Sequence, residues 1–236
     1  MRPLGFSTGA IAPGNLDEAL RMLDGIAVEA VELSALRIRE LPELLDFAER
    51  TDLGRFSHVS IHAPTDYSAE QEAEVVERLS ALSDRGWPIV AHPDTIRDYR
   101  LWKQFGPLLL IENMDKRKPL GRTVEELSRV FDELPDAQMC FDIAHARQVD
   151  TSMTEAYKIA KAFRSRIKQI HISTIGSSSK HAPISPSAER SFRSLASLIP
   201  ISAPAILETP VRADQFEEQL AMAARSLEMS LTGQIG

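Results

Sequence analysis

The sequence predicts a single-domain (β/α)8 TIM barrel over residues 1–236, and three observations carry that prediction. Short β-branched or aliphatic runs alternate with amphipathic segments along the whole chain, the pattern of α/β folds built on a parallel sheet. Eight such runs occur: "LGFSTG", "AVEAVELS", "HVSIHAP", "PIVAHPD", "LLLIENMD", "QMCFDIAH", "IKQIHIST" and "PAILETP". Polar residues close seven of them at Glu32, His62, His92, Glu112, Asp142, His171 and Glu208, at intervals of 30, 30, 20, 30, 29 and 37 residues, one strand–helix unit each. A doubly wound sheet fits less well, because it usually has fewer strands and a glycine-rich first turn, and "GFSTGAIAPG" is no dinucleotide fingerprint.

Between the runs, helix starts are readable. Asn15 with Glu18, Thr123 with Glu126 and Ser152 with Glu155 have the spacing of a capping box, in which side chains satisfy orphan backbone donors. Leu16, Leu20 and Leu23, or Val124, Leu127 and Val130, recur at the spacing that makes one helix face dry and able to cover a sheet. "TSMTEAYKIAKAF" reads as a barrel helix, Trp87 and Trp102 as packing residues, and "GSSSKHAPISPS" at residues 176–187 as a long loop. No linker or shift in charge marks an internal boundary.

A net charge of −7 and a pI near 5.4 argue against a basic coat for non-specific nucleic-acid or membrane binding. The single cysteine, Cys140, excludes an intrachain disulfide, and no charged start followed by an apolar run is recognisable, so the cytoplasm is the expected compartment. No apolar stretch reaches the length of about 18 residues that a membrane helix needs.

In a barrel the carboxyl ends of all strands meet at one mouth, where active sites sit. His62, His92, Glu112, Asp142, His171 and Glu208 come from six different strands, His145 follows in the turn after Asp142, and His181 lies in the loop after the seventh strand. Imidazole and carboxylate suit zinc first, with manganese or iron as alternatives. Eight ligands exceed what one ion takes, so the supply fits two or three divalent ions with Glu112 or Asp142 as a bridge. His58 falls four residues before His62 on the same strand face, deeper in the barrel, and reads as a core or rim residue. Glu32 reads as a salt-bridging residue at the mouth, and Cys140 as an inward-facing packing residue. In "DKRKPLGR", Lys116 and Arg122, together with Lys180 beyond the seventh strand, are candidates for gripping an anionic substrate.

The segments "SIHAP", "IVAHPD", "LLIENMD", "CFDIAHA", "IKQIHIS", "SSKHAP" and "AILETP" resemble the successive metal-binding segments of endonuclease IV, within the xylose isomerase-like barrels. The resemblance implies a first ion on His62, His92 and Glu112, a second on Glu112, Asp142, His171 and Glu208, and a third on His145 and His181. The family's Asp-x-His is here Ser179-Lys180-His181, which leaves the third ion two protein ligands. "HAPTDYS" lacks the pattern of a DNA-penetrating loop, so repair specificity is not implied.

The leading expectation is therefore a metal-dependent phosphoester hydrolase, acting on a small anionic or phosphorylated substrate or on nucleic acid, with Glu112, Glu208 and His145 at the reaction centre. The alternative is a sugar isomerase or epimerase with one divalent ion, in which Glu112 and Glu208 act as acid and base. A non-catalytic metal-binding barrel is the third reading. The sequence does not fix an oligomeric state.

Overall fold

The eight apolar runs all become parallel strands because each is too short for a buried helix and is bounded by turn-forming residues. The computed structural model describes residues 2–228. Its strands are β1 (Leu4–Ser7), β2 (Ala30–Ser34), β3 (His58–His62), β4 (Ile89–Ala91), β5 (Leu109–Glu112), β6 (Gln138–Asp142), β7 (Ile167–Ile172), β8 (Thr174–Ile175), β9 (His181–Ala182) and β10 (Ala205–Leu207). β1 to β7 and β10 pair in parallel, in sequence order, and β10 closes on β1. The helices are α1 (Thr8–Ile11), α2 (Leu16–Met22), α3 (Leu41–Arg50), α4 (Glu72–Ser80), α5 (Tyr99–Trp102), α6 (Val124–Glu133), α7 (Ile143–Val149), α8 (Thr154–Ala162), α9 (Pro186–Arg193) and α10 (Phe216–Ser226). None of the described helices is long and apolar enough to cross a membrane.

Strand alternation divides the side chains into two sets. Val31, Leu33, Ile61, Ile111, Met139, Phe141, Ile170 and Leu207 join the apolar layer under the helices. Inside the barrel a separate apolar patch of Val90, Leu110 and Cys140, with Ile206 in register beside His171, accompanies a polar set in which Glu32, Ser60 and Gln169 are fully buried. Register sets the polar residues side by side: Glu32 pairs with Ser60, Ser34 with His62, and Asp142 with His171. Cys140 is buried, as expected of a packing residue, and burial pushes its thiol well above the usual range.

Two local expectations are corrected. The Ser152 capping box is not formed: α8 starts at Thr154 after Met153 in the left-handed region (φ 65°), and Asp150 accepts from the backbone N–H groups of Ser152 and Glu155 instead. The longer reach of Asp150 captures those donors, and the Glu155 carboxylate accepts from Val124 N–H at 3.0 Å, joining α8 to the start of α6. Asn15 and Thr123 do accept from Glu18 and Glu126 N–H as their spacing predicts. The expected loop at 176–187 is partly structured, since β9 pairs antiparallel with β8 and α9 begins at Pro186 with Ser185 as its cap.

Barrel closure leaves no room at Gly5, where an added Cβ would lie 1.6 Å from the Ala30 carbonyl oxygen. Gly5→Ala is therefore expected to destabilise the fold by about 3 kcal/mol or more, since overpacking against backbone has no cheap relief. Urea unfolding measures this, and an unchanged midpoint would contradict the described β1–β2 seam.

Candidate metal centre

Asp142 is the last residue of β6. It caps α7, with Oδ1 accepting from His145 N–H at 2.7 Å, while its fully buried Oδ2 has no hydrogen-bond partner. One oxygen thus starts the helix and the other faces the mouth. The cap places His145 on the first turn, where its Nδ1 lies 2.9 Å from the Asn113 carbonyl. Asn113 is itself held between strands: its amide donates to Asp142 O at 2.8 Å and accepts from Asp142 N–H at 2.9 Å.

Glu112, at the end of β5, occupies the centre. Its Oε1 lies 3.2 Å from His145 Nδ1 and 3.3 Å from His171 Nδ1, and its Oε2 lies 3.1 Å from His92 Nε2 and 3.4 Å from His62 Nε2. Glu208 follows β10, with Oε2 3.5 Å from His171 Nδ1. The eight predicted ligands fall into three overlapping groups, His62–His92–Glu112, Glu112–Asp142–His171–Glu208 and Asp142–His145–His181, each with donor atoms within 4.8 Å of one another. Asp142 completes the third group, which Ser179 does not join; Ser179 instead donates to Asp115 at 2.9 Å. The expectation of only two protein donors there is thereby corrected.

The donor set fits a divalent cation on two counts. Glu112 Oε2, Asp142 Oδ2 and Glu208 Oε2 are buried without hydrogen bonds, an expensive arrangement for carboxylates unless a cation shares their space. Four imidazoles also have one nitrogen secured by the protein: His62 Nδ1 on Ala63 O at 2.9 Å, His145 Nδ1 on Asn113 O, His171 Nε2 on Glu32 at 2.9 Å, and His181 Nδ1 on the Ser173 hydroxyl at 2.8 Å. Such bonds fix the tautomer and aim of metal-binding histidines.

Electrostatics follow from the crowding. Burial opposes charge on His62 and His145, but for His62 the close Glu112 carboxylate, with Glu32 and Glu208 beyond it, outweighs burial and lifts the ring to about 9. Asp142 and Glu112 likewise lift His145 to about 10. Burial raises Asp142 to about 6 and also raises Glu208. Glu112 stays well below the usual carboxylate range: burial opposes this, and His171 and His92 prevail.

Among residues assigned lesser roles from sequence, Glu32 lies beneath the mouth, fully buried, and accepts from His171 and Gln169. Gln169 carries no sequence signal beyond lying two residues before His171 on the same strand face. Asn113 and Ser173 follow strand ends and were equally silent. Of the basic candidates, Lys116 and Lys180 are exposed and neither side chain is paired among the described residues, whereas Arg122 forms a two-pronged ion pair with Glu126. In this structure Arg122 is paired at the start of α6.

Neither a protein-family model nor a curated protein matches this chain by sequence. Solved structures match it by fold. The chain is similar to a zinc-bound IOLI protein, with a TM-score of 0.69 and 12% identity over 98% of this chain and 100% of that one. It is similar to the 3-keto-D-glucoside 4-epimerase YcjR from E. coli, with a TM-score of 0.62 and 17% identity over 94% and 98%. A xylose isomerase domain protein from Alicyclobacillus acidocaldarius matches with a TM-score of 0.56 and 13% identity over 94% and 99%. At these identities the likeness establishes the (β/α)8 fold.

The pKa directions have a consequence for metal-stripped protein. His62 and His145, raised in the folded state, contribute stability that is fully present below their unfolded value near 6.5 and is lost as pH rises through about 9 to 10. Thermal melts of chelator-treated protein should fall from pH 7 to 10, and added zinc should reverse the trend, because deprotonated ligands bind it more tightly. A flat profile without metal would contradict this electrostatic picture.

Proposed function

We propose that this protein is a divalent-metal isomerase or epimerase acting on a polyhydroxylated carbonyl compound of the sugar class. One observation carries the reading: Glu112, Asp142, His171 and Glu208 converge, each carboxylate keeping one buried oxygen without a hydrogen bond. A divalent ion held by these residues would supply a Lewis acid toward adjacent substrate oxygens. The likeness in fold to a sugar epimerase and to a zinc-bound barrel supports this choice over hydrolysis.

The chain's own residues then divide the proton work. Glu112 and Glu208 stand on strand ends three positions apart around the barrel, so their carboxylates flank the centre. Their environments push their proton affinities in opposite directions, Glu112 down and Glu208 up, which is how paired carboxylates acquire separate base and acid roles. Ionised Glu112 takes a proton from the carbon beside the carbonyl and the electron pair moves onto the carbonyl oxygen; in epimerisation Glu208 returns a proton to the opposite face of the same carbon as the carbonyl re-forms, and in isomerisation it protonates the former carbonyl carbon while the adjacent hydroxyl passes its proton to the former carbonyl oxygen. His145 is fixed through Nδ1 on Asn113, which leaves its other nitrogen available to a substrate oxygen. The loops that carry Lys116 and Lys180 are joined by a clasp in which Gln148 Oε1 accepts from Lys116 N–H and Gln148 Nε2 donates to Gly176 O and Ser179 Oγ; the lysines suit an anionic substituent remote from the reacting carbons.

A second reading, phosphodiester hydrolysis at a multinuclear centre, is favoured by the two further donor groups, His62–His92–Glu112 and Asp142–His145–His181. In that case His62 and His92 hold an ion needed for chemistry.

The two readings separate in one experiment. Aldoses and ketoses incubated with the zinc- or manganese-loaded protein in D2O should gain deuterium beside the carbonyl, followed by NMR. Glu208→Gln should slow this by about 10²- to 10⁴-fold, the usual contribution of a general acid or base. Cleavage of bis(4-nitrophenyl) phosphate without any deuterium incorporation would overturn the isomerase reading in favour of hydrolysis.

A further inference from the structure

The barrel interior below the metal centre is crossed by a continuous string of polar groups. At the amino end of β3, His58 lies in a cleft of about 540 Å³ lined also by Thr51, Phe56, Arg85 and Trp87, at the opposite end of the barrel from the mouth. His58 Nε2 lies 2.8 Å from Gln169 Oε1. Gln169 Nε2 donates to Glu32 Oε2 at 2.7 Å, and Glu32 Oε2 lies 2.9 Å from His171 Nε2. His171 Nδ1 then faces Glu112 and Glu208.

The chemistry of each link permits one polarity. An amide oxygen only accepts, so His58 presents its Nε2–H. An amide nitrogen only donates, so it turns to the Glu32 carboxylate; the flipped amide would set its oxygen against that carboxylate at the same short distance. A carboxylate only accepts, so His171 presents Nε2–H to Glu32, which leaves Nδ1, 3.3 Å from Glu112 Oε1, as the nitrogen that would give up its proton to a metal. Ser60 adds a third donor to Glu32 Oε2 at 3.3 Å, so that oxygen is held from three sides by Ser60, Gln169 and His171.

We propose that Gln169 and His58 are positioning residues that fix, through Glu32, the tautomer and aim of His171 as a metal ligand. This rests on the reading of His171 as a ligand. Outer partners of this kind set metal affinity, and here the outermost reaches solvent at the far end of the barrel. A glutamine in a barrel core, satisfied on all sides, has a purely structural explanation as well, and the two differ in what its loss does to the metal.

The test uses cobalt as both ligand and reporter. Gln169→Met keeps the side-chain length and removes the amide, and His58→Phe removes the donor at a partly exposed position. Each should weaken Co²⁺ binding by about 10- to 100-fold and shift the cobalt d–d absorption, beyond any change in the melting temperature of metal-stripped protein. Combined, they should cost little more than one alone, because both break the same string. Wild-type affinity and spectrum in both variants, with binding lost in His171→Ala, would overturn the positioning role while leaving the ligand reading intact. A shift in Gln169→Met alone would overturn the role of His58. Wild-type cobalt binding in His171→Ala would remove the ligand reading and the proposal with it.

Discussion

Burial of like charge in one place is the constraint on which this structure depends. Glu32, Glu112 and Asp142 are essentially fully buried, and Glu208 nearly so, within a single barrel interior. Isolated carboxylates in such surroundings would cost several kcal/mol each, so they must be paired, protonated or shared with a cation. His62, His92, His145, His171 and His181 surround them, and the protein fixes one nitrogen of four of these rings with its own carbonyl, hydroxyl and carboxylate groups. That leaves His62 Nε2 and His171 Nδ1, with the carboxylate oxygens, aimed into common space, an arrangement suited to one or more positive ions.

The fold supports this by separating two jobs along every strand. Outward residues bury apolar surface under the helices, and inward residues are released from packing to carry polar chemistry. Asp142 combines the jobs at a single residue, since one oxygen starts α7 and the other enters the cluster. Beyond the strand ends, the clasp of Gln148, Asp115 and Ser179 ties the β5 loop, which carries Lys116, to the β8–β9 hairpin, which carries Lys180. Substrate preference in barrels resides in such loops, and the fold alone leaves it open.

Much of this was legible in the sequence. A polar residue at the end of an apolar run has no packing reason to be there, and its recurrence about once per strand–helix unit exposed both the barrel and the residues at its mouth. What stayed hidden depends on distances between remote segments. Gln169 follows the exposed Lys168 in a strand whose alternation says that neighbours face opposite ways, but only barrel closure sets Gln169 between His58 and Glu32. Asp150 displaced Ser152 as a cap because both compete for the same N–H groups. The pairing of β8 with β9 needed the turn at Ser179, which has φ 51° and is bonded to Asp115 some sixty residues away. The weight given to hydrolysis came from counting ligands. Their number shows how much negative charge the mouth must balance, and it leaves the reaction to be decided by substrate.

The central claim is that the buried carboxylates and imidazoles share a divalent metal. Elemental analysis by plasma mass spectrometry, on protein purified without chelator and on Glu112→Gln, tests it most directly. The account predicts at least one zinc, manganese or iron ion per wild-type chain, and its loss from the variant, because Glu112 belongs to two donor groups. Wild-type protein that holds no ion and takes up none on dialysis against these metals would contradict it.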